Sequence, residues 1–311
     1  MVNGNQSGEL LSLKVNIGGL QLKNPIMAAS GTFGFGREYA RYFDLSRLGG
    51  ISVKGLTPLP RKGNPPPRIA ETPGGILNSV GLQNPGVDAF IRDEIPFLRQ
   101  YATAIIANAS GNTVEEYAGI TEKLSHADVD AIEINLSCPN VKHGGMIFGS
   151  TREGVAQVVR EVKRVAKKPL MIKLTPNVTD ITELALAAEA EGADSVSLIN
   201  TLLGMAIDVK SRRPILGNVM GGLSGPAVKP VALRMVYQVS RAVKIPVVGM
   251  GGISNGLDAV EFLLAGASAV MIGTAGFVDP LAWVRSLDEL EAYMKETGVK
   301  DVRELIGALK A

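Results

Sequence analysis

Short, continuous apolar runs recur along this chain, each pair separated by enough residues for one helix, and this recurrence limits the possible folds more than any other feature. The runs cover residues 25–29, 50–53, 104–107, 129–136, 170–174, 195–199, 247–250 and 269–272. They do not alternate apolar with polar, so both faces of each strand are expected to be buried, as in a parallel sheet. Helical spacing fills the intervals at 37–48, 87–100, 113–124, 151–166, 181–191, 228–243 and 257–265, and Asp279-Pro280 opens a final helix. In 151–166 the apolar positions Val155, Val158, Val159, Val162 and Val165 mark one helix face. Roughly eight strand–helix units is the (β/α)₈ number, so the expected fold class is α/β, a TIM barrel. A doubly wound sheet would need fewer strands or a domain boundary. No composition break marks such a boundary, so residues 1–311 are read as one domain. Residues 11–15 and 20–22 flank Gly18-Gly19 and predict an N-terminal β-hairpin. Two long irregular loops, 56–85 and 202–227, are expected over the C-terminal face.

Composition removes several function classes. With 46% hydrophobic and 20% charged residues the chain is globular, and a formal net charge of +2 invites neither nucleic acid nor an acidic membrane. The single cysteine excludes an internal disulfide and a cluster held by four cysteines of this chain, and fits a reducing, cytoplasmic setting. The first nine residues lack the apolar core of a signal peptide, and no run is long enough to span a bilayer.

In a barrel of this kind the chemistry sits at the C-terminal ends of the strands. Collecting those ends gives Ser30, Lys54, Asn108, Asn135, Lys173, Asn200, Gly251 and Gly273. Each Lys or Asn alone reads as an ordinary solvated loop residue. Two ammonium and three amide side chains recurring at one level suit an anionic, hydrogen-bonding, planar ligand. The stretch Asn135-Leu136-Ser137-Cys138-Pro139-Asn140 adds a thiol at the same level. A lone Cys is more often a small buried hydrophobe. Here the polar flanks and Pro139, which turns the chain away, favour a base or nucleophile.

The last two strand ends, Gly249-Met250-Gly251-Gly252-Ile253 and Gly273-Thr274-Ala275, let the backbone approach an anion and predict a phosphate site, with plain turn glycine as the other reading. Ser254 stands where a dinucleotide fingerprint needs its third Gly, so a mononucleotide phosphate fits and NAD does not. A Gly-backed barrel centre beside Lys54 and Lys173 suits a flavin, with lysine stabilising the anionic reduced ring and Cys138 as base. His126 is placed at a helix end and His143 in a solvated loop. No His/Asp/Glu set has metal-ligand spacing, so no metal is expected. Pro65-Pro66-Pro67-Arg68 reads as a stiff extended linker, with partner docking as the sharper alternative.

At these residues the chain resembles the class 1 dihydroorotate dehydrogenases, over residues 13–280. The resemblance is carried by Ala29-Ser30-Gly31-Thr32-Phe33-Gly34, Glu71-Thr72-Pro73-Gly74-Gly75, Asn78-Ser79-Val80-Gly81-Leu82-Gln83-Asn84-Pro85, Asn135-Leu136-Ser137-Cys138-Pro139-Asn140, Ile199-Asn200-Thr201, Gly221-Gly222-Leu223-Ser224-Gly225 and Gly249-Met250-Gly251-Gly252. It implies FMN-dependent oxidation of (S)-dihydroorotate to orotate in de novo pyrimidine (UMP) biosynthesis, with Cys138 taking the C5 proton and the C6 hydride passing to FMN N5. It implies a substrate site of Lys54, Asn78, Ser79, Val80, Gly81, Leu82, Asn135, Asn200 and Thr201. The implied FMN contacts are Ser30, Lys54, Gly55, Asn108, Asn135, Lys173, Ile199, Gly225, Gly251, Gly252, Gly273 and Thr274. Membrane-associated class 2 members resemble the chain less, having Ser in place of Cys138.

Within class 1, Asn140-Val141-Lys142-His143-Gly144-Gly145 and Leu202-Leu203-Gly204-Met205 look most like the NAD-linked class 1B catalytic subunits. This implies a homodimer within a heterotetramer of two catalytic and two electron-transfer subunits, the latter carrying FAD and a [2Fe–2S] cluster. One alternative is a fumarate-linked class 1A dimer, which needs no partner. Others are a related FMN barrel acting on dihydropyrimidines or dihydrouridine in RNA, disfavoured by the charge, and a cofactor-free phosphate-binding isomerase or lyase on the same barrel.

Overall fold

A computed structural model of the chain describes residues 11–136 and 148–310. Eight parallel strands close into a barrel: β1 (Ile26–Ala28), β2 (Gly50–Ser52), β3 (Ala104–Ala109), β4 (Ala131–Asn135), β5 (Leu170–Lys173), β6 (Ser195–Leu198), β7 (Val247–Met250) and β8 (Ala269–Ile272). They follow one another in chain order around the ring; β8 pairs with β1 through Met271 opposite Met27, and β5 with β6 through Ile172 opposite Val196. Closure without an edge excludes the doubly wound alternative. The fold class is the (β/α)₈ barrel that the strand count predicts.

Several helices start where a side-chain cap and an apolar stripe agree. Thr113 accepts from the Glu116 N–H ahead of helix Val114–Ser125, and Thr151 accepts from the Gly154 N–H ahead of helix Arg152–Val165. In the latter, Val155, Val158, Val159 and Val162 are buried against the barrel. The hairpin Val15–Ile17/Leu20–Leu22 turns at Gly18-Gly19 as expected. A Cβ on Gly18 would lie 2.1 Å from the Asp194 carbonyl oxygen just ahead of β6, so this turn sits at the N-terminal end of the barrel and admits only glycine.

Four details differ from the sequence expectation. Residues 37–48 form two 3₁₀ turns, Tyr39–Arg41 and Leu45–Arg47, because Asp44 is extended and its carboxylate takes the Ser46 N–H, starting a new turn. Residues 87–98 are helical but pass through a π turn at Phe90–Glu94, just ahead of Pro96, which has no N–H to donate. The loops 56–85 and 202–227 are not irregular throughout. They contribute Ile69–Thr72, Gly75–Asn78, Leu202–Met205 and Met220–Ser224 to one antiparallel sheet on the C-terminal side of the barrel. Pro65-Pro66-Pro67 is no extended linker. The Pro66–Pro67 peptide is cis, and the Pro67 carbonyl accepts from the Gly217 N–H at 2.8 Å, tying the two loops together.

Candidate active site

The strand pleat decides which side chains enter the barrel. On β4, Glu133 and Asn135 are two residues apart and share the inner face, with Asn108 of β3 opposite Glu133 and Lys173 of β5 opposite Asn135. Glu133, Asn108 and Lys173 are buried, and Asn135 is partly so. The C-terminal ends of the barrel strands hold Ser30, Lys54, Asn108, Asn135, Lys173, Asn200, Gly251 and Gly273, the expected set, at a single rim.

Hydrogen bonds join neighbouring members of this rim. Lys173 Nζ donates to Ser30 Oγ at 3.3 Å. Asn200 Nδ2 donates to Asn135 Oδ1 at 3.4 Å, the Asn135 carbonyl accepts from the Tyr117 hydroxyl at 2.8 Å, and the Thr201 N–H donates to Asn200 Oδ1 at 2.8 Å. Ile199 is buried, its N–H donates to the Met250 carbonyl at 2.9 Å, and the Leu198–Ile199 peptide is cis. Burial pushes the Lys54 ammonium below its ordinary value, and the neighbouring Arg68 and Lys173 cations push it the same way. Three cationic side chains therefore influence one pocket, which favours an anionic ligand.

The antiparallel sheet brings the loop 78–82 to this rim. Asn78 Nδ2 donates to the Gly222 carbonyl at 3.3 Å, and Asn64 donates to the carbonyls of Ser79 and Val80. Gly81 and Leu82 both have positive φ. A Cβ placed on Gly55 would meet Asn108 Oδ1 at 3.0 Å and the Leu82 side chain at 3.2 Å, so the glycine lets loop and barrel pack closely here. Thr201 lies against Gly222.

A second cluster gathers on the opposite arc. A Cβ on Gly252 would fall 2.9 Å from the Gly225 carbonyl, and Thr274 Oγ1 donates to Ser224 Oγ at 2.8 Å. Gly225, Gly251 and Gly252 all have positive φ, and Gly225 leads through the turn Pro226–Val228 into helix Lys229–Ala242. Close-packed glycine backbone at a helix N-terminus suits a phosphate. Gly273 faces Ala29 and Thr32 of the first strand end. Cys138 and His143 lie outside the described residues; His126 caps the end of helix Val114–Ser125 as expected. Among the described residues, no group of three or more His, Cys, Asp or Glu is placed to hold a metal, and no helix is long and apolar enough to cross a membrane.

Sequence reasoning missed four participants. Glu133 went unnoticed inside an apolar run, although a carboxylate two residues before Asn135 on one strand face was a usable signal. Ser52 and Ser197 hydrogen-bond to it, and their positions in buried strands gave no such signal. Arg68, read as part of a linker, reaches the site by pairing with Gln83 of the 78–85 loop.

A profile of the dihydroorotate dehydrogenase family matches residues 12–294. The chain is 61% identical over 299 residues to a dihydroorotate dehydrogenase B (NAD(+)), catalytic subunit, of Alkaliphilus metalliredigens, covering 96% of this chain and 99% of that protein. It is 60% identical over 301 residues to the protein of the same name from Parabacteroides distasonis, covering 96% and 99%. In fold it matches the crystal structure of the Eimeria tenella enzyme in complex with ferulenol, with a TM-score of 0.79 at 23% identity, covering 98% of this chain and 90% of that one.

Proposed function

Because this chain belongs to the dihydroorotate dehydrogenase family, we propose that it is the catalytic subunit of an NAD-linked dihydroorotate dehydrogenase, oxidising (S)-dihydroorotate to orotate in pyrimidine biosynthesis. The observation that carries this reading is the rim itself, where two lysines and three asparagines of separate strands meet at one level beside close-packed glycines. In this reading residues 1–311 form one FMN-binding domain.

The residues present fit a flavin mononucleotide. Asn108 Oδ1 is buried beside Gly55 with no hydrogen-bond partner, as an acceptor for a ring N–H would be. Gly225, Gly251, Gly252, Gly273 and Thr274 would hold the phosphate end, and Ser30, Lys54, Gly55, Asn108, Asn135, Lys173 and Ile199 the ring. Bound FMN supplies a two-electron acceptor for the hydride leaving C6 of the substrate. Lys54, with loop residues Asn78, Ser79, Val80, Gly81 and Leu82, then binds and orients the anionic substrate together with Asn135, Asn200 and Thr201. Cys138 takes the C5 proton as general base, the role the family resemblance gives it.

The sequence has one cysteine and lacks the dinucleotide fingerprint, which supports a separate subunit carrying FAD and a [2Fe–2S] cluster for electron delivery to NAD⁺. Exposed Leu203, Met205, Ile207, Val209 and Met220 on one loop region support subunit contact within a heterotetramer built on a homodimer of this chain. The test is an anaerobic absorbance spectrum of the purified chain with FMN. Dihydroorotate is expected to bleach the flavin, and NAD⁺ to reoxidise it only once the electron-transfer subunit is added. A flavin that dihydroorotate leaves oxidised refutes the reading, and rapid reoxidation by fumarate with no partner present refutes its NAD-linked part.

A further inference from the structure

Glu133 is fully buried in the barrel interior and none of the roles above uses it. A carboxylate there must be hydrogen-bonded to persist. It accepts from three neutral donors: Ser52 Oγ at 2.6 Å and Asn108 Nδ2 at 2.6 Å, both on Oε2, and Ser197 Oγ at 2.6 Å on Oε1. These donors stand on β2, β3 and β6, so the carboxylate is clamped from both sides of its own strand.

The consequence falls on Asn108. An amide has a donor end and an acceptor end, and a carboxylate offers only acceptors. Turning Asn108 over would set its oxygen against Glu133 Oε2 and forfeit a charge-assisted hydrogen bond. The Nδ2 end is therefore fixed toward Glu133, and Oδ1 is fixed away from it. That oxygen is the buried, unpartnered atom packed beside Gly55. The oxidised flavin ring carries a single N–H, at N3, between two carbonyls.

We propose that Glu133 is a positioning residue that locks the Asn108 amide in one orientation, so that Oδ1 is held as the acceptor for the ring N–H of the flavin. The inference rests on the flavin reading above and adds to it the residue that sets the direction of the contact. Ser52 and Ser197 complete the device by holding the carboxylate still. Replacing Glu133 with Gln removes the constraint without changing volume, because a glutamine amide can meet Asn108 either way round.

The test is a pair swap read by FMN affinity, flavin spectrum and midpoint potential, with melting temperature followed for each variant. Glu133→Gln is expected to raise the FMN dissociation constant about five- to tenfold, the loss of roughly one hydrogen bond. Wild type is expected to bind FMN more tightly than N3-methyl-FMN, and Glu133→Gln to lose most of that preference. Asn108→Asp alone sets two carboxylates against each other and is expected to weaken binding further. The double variant Glu133→Gln/Asn108→Asp reverses the donor while leaving an acceptor oxygen on residue 108. It is expected to recover FMN affinity to within about twofold of wild type, with a lower midpoint potential from the charge moved toward the ring.

Unchanged FMN affinity and unchanged N3-methyl discrimination in a folded Glu133→Gln protein overturn the proposal. So does a double variant no better than the singles. If Glu133→Gln alone does not fold, the swap decides the matter, since it keeps both volume and hydrogen bond. Weakened orotate binding with FMN binding intact assigns the acceptor to the substrate and also overturns it. A wild-type chain that fails to bind FMN refutes the flavin reading itself, an outcome distinct from any variant result.

Discussion

The barrel and the antiparallel sheet above it are two different kinds of structure. Barrel strands such as Leu170–Lys173 and Val247–Met250 are buried at every residue, and their apolar side chains belong to one large core. The sheet of Ile69–Thr72, Gly75–Asn78, Leu202–Met205 and Met220–Ser224 is buried at few positions, and its core consists of Ala70, Leu77 and Leu216 with Ala206 and Leu223 packed alongside. The barrel supplies the charged and amide groups on rigid strand ends. The sheet supplies the backbone of the 78–82 loop and closes over them. In the proposed reading, cofactor-binding groups stand on the barrel and substrate-binding backbone on the thinner sheet, so the two functions are expected to be separable by mutation.

The largest expected effect is on the chemistry. Cys138→Ala is expected to slow flavin reduction by dihydroorotate by roughly two to four orders of magnitude, the usual size for a lost general base, with FMN still bound. Stopped-flow reduction of the loaded enzyme measures this, and a near-normal rate removes Cys138 from the role. Lys173→Ala, on the barrel rim, is expected to release FMN or slow its reduction, whereas Asn78→Ala, on the sheet, should raise the KM for dihydroorotate with flavin content unchanged. Equal flavin loss in the two variants would break the distinction between rim and sheet.

Stability should divide along the same line. Ile132 is fully buried in β4, and its truncation to Ala is expected to cost about 2–5 kcal/mol of global stability. Leu77→Ala removes the centre of a small cluster at the sheet. It is expected to lower hydrogen-exchange protection at residues 69–78 and 202–224 while moving the global melting temperature far less. Comparable drops in melting temperature would mean that the sheet unfolds together with the barrel.

The same contrast explains what the sequence made legible. Apolar runs buried on both faces announce themselves one at a time, so the eight strands, the terminal hairpin and the rim residues at the strand ends could be read locally. The sheet could not, because Asn78 pairs with Gly222, 144 residues away, and the two segments hold each other in extended form. Neither carries an alternating pattern strong enough to declare a strand alone. Glu133 was hidden by its apolar neighbours, and its role depends on three residues from other strands. Arg68 was hidden because a proline run suggests a stiff spacer until its partner Gln83 is placed beside it.

The smallest expected effect tests where the two regions meet electrostatically. Lys54 stands on the rim and Arg68 on the loop that leads into the sheet, and burial first, then Arg68 and Lys173, lower the Lys54 ammonium below its ordinary value of 10.5. A depressed lysine pKa means the folded protein gives up this proton before the unfolded chain does. Charging Lys54 therefore opposes folding below its folded-state value, and the penalty fades as pH rises from that value toward 10.5. Binding of an anionic substrate runs the other way, since it needs the ammonium. Affinity for dihydroorotate should hold at lower pH and fall as pH rises through the lowered value. Arg68→Met removes one of the two cations and is expected to move that fall to higher pH, while Lys54→Met should leave weak binding whose pH dependence lacks this limb. The measurement is the KM or the orotate dissociation constant across the alkaline range. A fall that stays in place when Arg68 is replaced would mean that the sheet region shapes the pocket only by contact and contributes no field to it.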